Sequence, residues 1–159
     1  MKFKLICLFL LLFLTSCNTD YLNISSSSPN INLSSTEIFN AITKDLTMEN
    51  FKSLNDEDIL NLYAIDPKIL IDYTSNIPRD ISSGEEISIF RLKDSLNTPE
   101  VVLGIERRIS ELEKEFRINK PDKYDLIKNP YIKVFDNYVV FALSKNIETL
   151  NKNLENIFK

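Results

Sequence analysis

The sequence predicts an α+β fold of two layers, an antiparallel sheet of about four strands with helices mainly on one face. Three observations lead there. Apolar residues recur at helical spacing near the start and end of the domain and over one long central stretch. Short alternating or apolar runs occur in two pairs, and the second pair is joined only by Asp136-Asn137. Strand pairs separated by a long helix favour antiparallel pairing with segregated helices.

Each element has a local cause. Ser34-Ser35-Thr36-Glu37 has capping-box spacing, and Ile38, Phe39, Ile42 and Leu46 follow at helical intervals, giving a first helix over 35–46. Asn55-Asp56-Glu57-Asp58 starts a short second helix whose acids suit the positive N-terminal dipole, with Ile59, Leu60 and Tyr63 apolar. These carboxylates do not read as a calcium site, because neither EF-hand spacing nor a loop glycine follows. After Pro67 the period changes: Ile69, Ile71, Tyr73 and Ile77 alternate with Asp72, Thr74 and Asn76, a half-buried strand. Residues 78–85 form a turn-rich loop, and 86–92 (EISIFRL) form a second strand.

Asn97-Thr98-Pro99-Glu100 supplies a cap, an N1 proline and a box-forming glutamate for a long helix. Its apolar stripe is Val101, Ile105, Ile109, Leu112 and Phe116, with Val102 beside it. The charges from Glu106 to Arg117, Arg108 among them, read as a solvated face. Pro121 opens a short helix with Tyr124, Leu126 and Ile127. Residues 131–144 (YIKVFDNYVVFALS) form a hairpin, since Asp136 and Asn137 both tolerate positive φ. Its second arm is apolar from Tyr138 to Leu143, as a central strand would be. Ile147, Leu150, Leu154, Ile157 and Phe158 mark a last amphipathic helix, whose few lysines favour core packing over membrane binding. The order is α-α-β-β-α-α-β-β-α.

Ahead of this domain the chemistry is different. Lys2 and Lys4 precede an apolar run from Leu5 to Leu14, the layout of a secretory signal. The run is too short for a transmembrane helix, which needs about 20 apolar residues. It ends at Leu14-Thr15-Ser16-Cys17, which resembles a bacterial lipobox. There the Cys17 thiol takes up a diacylglyceryl group, Thr15 and Ser16 let the lipoprotein signal peptidase reach the bond before it, and Leu14 fills an apolar subsite. Cleavage leaves Cys17 as the new N-terminus, open to N-acylation by a palmitate-like chain. One acyl chain binds membranes marginally and two bind stably, so the diacylglycerol suffices. The expected divisions are 1–16 signal peptide, 17–34 lipidated cysteine and flexible Ser/Asn-rich tether, and 35–159 a single α+β domain. As a coil the tether spans roughly 20–25 Å.

Removing residues 1–16 takes away two of 19 basic residues and none of the 23 acidic ones, leaving a formal charge of −6. Such a domain has no electrostatic case for nucleic acid or anionic headgroups. The chain has no histidine, which removes Ser-His-Asp and Cys-His catalysis and imidazole-ligated zinc. With only Gly84 and Gly104, Gly-rich phosphate loops are excluded too. No cysteine follows Cys17, so no disulfide supports the domain.

EIFNAI, DEDILNLYAIDPKILIDY, EISIFRLKD, IERRISELEKE and NPYIKVFDNYVVFALS together resemble the uncharacterised bacterial lipoprotein family known as domain of unknown function 4358, over residues 36–158. Ala64 and Asp136-Asn137 stand where glycine is expected in that family. The resemblance implies an extracytoplasmic lipoprotein and supplies no activity, cofactor or catalytic residue.

The functional expectation is a non-catalytic binding or interaction module, lipid-anchored at the extracytoplasmic face of the cell membrane. Its partner is expected to be a membrane-proximal protein or cell-envelope component. No metal and no cofactor beyond the lipid on Cys17 is expected. The alternative is a small carboxylate-dependent envelope hydrolase or transferase, since paired carboxylates cleave glycosidic bonds without histidine. The one candidate surface site is Arg79, Asp80, Glu85 and Glu86, flanking the loop between the first two strands.

Overall fold

The computed structural model describes residues 22–25, 31–47, 50–80 and 83–159. In chain order the elements are β1 (Leu22–Ser25), α1 (Ser35–Thr43), β2 (Phe51–Ser53), α2 (Asp56–Tyr63), β3 (Leu70–Pro78), β4 (Glu86–Leu92), α3 (Thr98–Asn119), α4 (Tyr124–Lys128), β5 (Tyr131–Phe135), β6 (Tyr138–Leu143) and α5 (Ile147–Ile157). Leu14, Thr15, Ser16 and Cys17 lie outside the described residues.

The helix starts follow from their caps. At α1 the Glu37 N–H donates to Ser34 Oγ (3.2 Å) and the Ser34 N–H to Glu37 Oε2 (2.7 Å). Asn55 and Asp58 close the same reciprocal box at α2, at 2.9 and 3.1 Å. The start of α3 differs from expectation, because Asn97 makes no side-chain cap bond. A 3-10 turn over Ser95–Asn97, capped by Asp94 Oδ1 accepting from the Leu96 N–H, runs directly into the helix.

Strands β2 to β6 form an antiparallel sheet, and β1 joins its β5 edge in parallel, giving the order β1-β5-β6-β4-β3-β2. Two strands are additions to the sequence reading. The three-residue β2 is too short to show a period. β1 falls inside the stretch assigned to the flexible tether, where Ser/Asn content outweighed Leu22 and Ile24; an edge strand draws on the backbone ladder and needs little from composition. Beyond it, Tyr138 Oη donates to the carbonyls of Leu33 (2.6 Å) and Ile31 (3.2 Å), tying the chain ahead of α1 to the sheet.

The α+β class and the antiparallel pairing are as expected, but the two-layer arrangement is not. Helices cover both faces. One core unites α2, α3 and α4 with Ile77, Phe90, Leu92, Ile132, Val134, Val139, Phe141 and Leu143. The other unites α1 and α5 with Ile87, Ile89, Phe135, Tyr138, Val140 and Ala142. The physical reason is visible in β6, where all six residues are buried: a strand apolar on both sides needs cover on both sides.

Backbone irregularities complete the frame. A register shift between Leu70 and Asp72 turns Ile71 out, leaving it 49% exposed although its alternation placed it in the core. Ala64 ends α2 with φ +57°, and Asp136 turns the β5–β6 hairpin with φ +50°. These are the two positions where the family resemblance led to an expectation of glycine. Gly104 is required by contact rather than conformation, since a Cβ there would lie 2.5 Å from the Tyr63 carbonyl oxygen. It sets how closely α3 approaches α2.

Candidate functional site

β4 alternates so that Glu86, Ser88, Phe90 and Leu92 share the face covered by α3. The last two join the apolar core, while Glu86 and Ser88 are buried polar residues (2% and 0% exposed). Arg108 of α3 lies three residues after Ile105 and four before Leu112, in register with the buried stripe. Its Nη2 and Nε donate to Glu86 Oε2 at 3.0 and 3.2 Å. Tyr63, fully buried at the end of α2, donates to Glu86 Oε1 from the other side. The Tyr63 hydroxyl also lies 2.8 Å from Ser88 Oγ, which lies 2.6 Å from Ser75 Oγ on β3. Ser75 and Ser88 are register partners in the sheet. The five residues form one satisfied network in low dielectric.

Burial first, and the Glu86 carboxylate second, push the Tyr63 phenol well above its ordinary range, so it remains a donor. For Arg108, burial works downward but facing Glu86 works upward, and the net shift is upward; the guanidinium stays charged. Glu86 is therefore an ion-paired acceptor on both oxygens, a poor arrangement for a nucleophile or general base.

Above this pair lies a cleft of about 210 Å³. Leu62, Ile77, Pro78, Leu112 and Phe116 give it an apolar lining, and Lys52, Asp58, Glu85 and Glu115 carry its other charges. Gly84 reaches it with φ +72°, where a Cβ would come within 2.8 Å of the Phe116 ring. Among the described residues, no group of three or more His, Cys, Asp or Glu is placed to hold a metal ion, and no helix is long and apolar enough to cross a membrane.

The four residues singled out in the sequence are divided by this geometry. Glu85 and Glu86 line the cleft; Arg79 and Asp80 do not. The Arg79 N–H donates to the Asn50 carbonyl (2.6 Å) and the Asp80 carbonyl accepts from the Ser83 N–H (3.1 Å), so both belong to the exposed turn. Glu86 is a correction: an expected surface charge is a buried one, because its first-position side chain points under α3. Arg108 is the matching correction, expected on the solvated face. The available signal was an arginine in the spacing of the apolar stripe, together with a glutamate leading an otherwise apolar strand.

The family described as a domain of unknown function (DUF4358) matches residues 44–144. No curated protein and no solved structure matches the chain. The matched span holds β2 to β6 with α2, α3 and α4, and therefore the whole network and cleft, whereas β1, α1 and α5 fall outside it. This chain belongs to the DUF4358 family.

Proposed function

We propose that the protein is an extracytoplasmic lipoprotein, held to the cell membrane by a diacylglyceryl group on Cys17, whose domain binds a membrane-proximal protein or envelope component without catalysing a reaction. The observation that carries the reading is the Leu14-Thr15-Ser16-Cys17 motif, standing directly after the Leu5–Leu14 run. The binding role draws support from the commitment of Glu86 to Arg108 and Tyr63, which takes the innermost carboxylate of the cleft out of acid–base chemistry. Mass spectrometry of the N-terminal peptide tests the anchor. The native protein is expected to begin at a lipidated Cys17, and Cys17→Ser to remain unprocessed. Normal processing of the mutant would sink the reading.

A carboxylate-dependent hydrolase or transferase is the second reading, favoured by Asp58, Glu85 and Glu115 lining the same cleft. It predicts that Glu85→Gln abolishes turnover of an envelope glycan while leaving the fold intact. Affinity capture with the anchor in place, followed by the same substitution, separates the two readings: loss of partner supports binding, and loss of turnover supports catalysis.

A further inference from the structure

The cleft over the Glu86–Arg108 pair is apolar within and acidic at its opening. Ile77, Pro78, Leu112 and Phe116 are buried, whereas Asp58 and Glu85 are half-buried and Lys52 and Glu115 exposed. The lining carries two positive charges, Lys52 and Arg108, against four negative ones, Asp58, Glu85, Glu86 and Glu115. Arg108 and Glu86 satisfy each other at 3.0 Å, which leaves three carboxylates facing one lysine. Among the described residues, the side chains of Lys52, Glu85 and Glu115 make no ion pair and no hydrogen bond, and Asp58 uses only Oδ2, on the Asn55 N–H. Asp56 and Glu57 precede Asp58 in the first turn of α2 and are exposed as well. The cations that follow Phe116, from Arg117 to Lys128, line no part of the cleft.

Two further observations narrow the occupant. The carboxylates are dispersed around the opening, and among the described residues no group of them is placed to hold a metal ion. Separate organic cations fit such a rim better than one compact ion. At about 210 Å³ the cleft is also smaller than the roughly 300–1,000 Å³ of sites that enclose a whole small molecule. It holds one large apolar side chain, the kind of pocket that takes an anchor residue at a protein–protein contact.

We propose that the cleft is the anchor site for a basic segment of a partner protein, in which one large apolar side chain enters against Leu112 and Phe116 while Lys or Arg on either side of it meet Asp58, Glu85 and Glu115. The inference rests on the binding reading above and names the partner's chemistry; it does not depend on the lipid at Cys17. Arg108 Nη1, which donates to no acceptor among the described residues, offers the entering segment a donor for a backbone carbonyl. The acidic balance of the whole chain steers a basic segment toward the domain.

Fluorescence anisotropy of short labelled peptides with the full-length protein in a nonionic detergent tests it. The peptides carry Phe, Leu or Ala at the centre, with two Lys or two Glu on each side. Lys-flanked peptides with central Phe or Leu are expected to bind several-fold more tightly than the Ala-centred or Glu-flanked ones. Combining Glu85→Gln with Glu115→Gln should remove most of that preference with the urea midpoint unchanged, because both side chains are unpaired. Glu148→Gln on α5 should leave the preference intact. Ala-centred peptides that bind equally well overturn the anchor pocket. Glu-flanked peptides that bind equally well, or a preference that survives the double substitution, overturn the cationic recognition. Absence of binding by every peptide overturns both, while a partner still captured from native membranes would leave the broader binding reading standing. A preference found in protein without lipid on Cys17 sinks the anchor reading alone.

Discussion

On the α1/α5 side of the sheet, Phe135 and Phe158 stack with ring centroids 4.1 Å apart, and Tyr138 meets Phe158 edge-on at 5.6 Å. On the α2/α3 side, Tyr63 also meets Phe90 edge-on, at 5.4 Å, but its hydroxyl enters a buried polar network that ends in an ion pair. Polar groups on the first side sit at its margin, where Asn153 Nδ2 donates to the Ile42 carbonyl and Asp45. The same sheet thus has one face closed mainly by apolar packing, with the Arg91–Asp72 ion pair (3.4 Å) at its edge, and one built around a charge pair beneath a cleft. Apolar packing tolerates repacking, whereas a buried pair tolerates loss of neither partner.

Removing one partner of the pair should have the largest effect. Arg108→Leu leaves Glu86 buried with Tyr63 as its only strong donor, and is expected to cost about 3–5 kcal/mol in urea unfolding. Combining it with Glu86→Gln should recover most of that loss, because the stranded charge goes too. A double mutant as unstable as Arg108→Leu alone would place the cost in packing and erase the contrast between the faces.

On the apolar side, Leu154→Ala removes a fully buried side chain from α5, with an expected cost of about 3 kcal/mol. No second substitution at a charged residue should rescue it. The same unfolding curves check this.

Alkaline pH probes the polar face more gently. The unfolded chain releases tyrosine protons near pH 10, while Tyr63 keeps its proton in the folded state. Stability is therefore untouched at neutral pH and falls as pH rises above about 10, by about 1.4 kcal/mol per pH unit for a group that stays fully protonated. Tyr138 on the other face is also raised, by burial first, but the nearby Arg91 pulls it back down in part. Urea midpoints between pH 8 and 11 should flatten more with Tyr63→Phe than with Tyr138→Phe; equal flattening would count against the distinction.

The smallest expected change is a gain. Ala64 is exposed and holds φ +57°, a conformation that favours glycine at a helix C-terminus. Ala64→Gly should stabilise by about 1 kcal/mol, visible as a raised midpoint with an unchanged slope. A loss would mean that the turn is held by its side chain.

The elements from Ser34 onward are largely legible because each carries a local signal: the capping box at Ser34, the acidic first turn after Asn55, the Asp136-Asn137 turn, the stripe of α3. What was not legible depends on neighbours distant in sequence. β1 exists through its pairing with β5, some 110 residues on. Ile71 is exposed because of a bulge that periodicity does not record. Half of the site is legible: Glu85 and Glu86 stand out as part of a cluster of charges, while Tyr63 reads as an apolar helix residue, Arg108 as solvated surface, and Ser75 and Ser88 carry no signal of their own. A buried ion pair has no sequence spacing of its own, since Glu86 and Arg108 are 22 residues apart and meet only when α3 folds across the sheet.

The parallel pairing of β1 with β5 has a mechanical consequence. A pull on the N-terminus acts along the axis of β1 and toward the end of the sheet where the strand begins. The ladder bonds between β1 and β5 then bear the load together, in shear. A strand leaving from the opposite end would instead be peeled away one bond at a time. Tension on an anchored chain would be met first by the edge of the sheet, and next by the Tyr138 hydroxyl that grips Ile31 and Leu33.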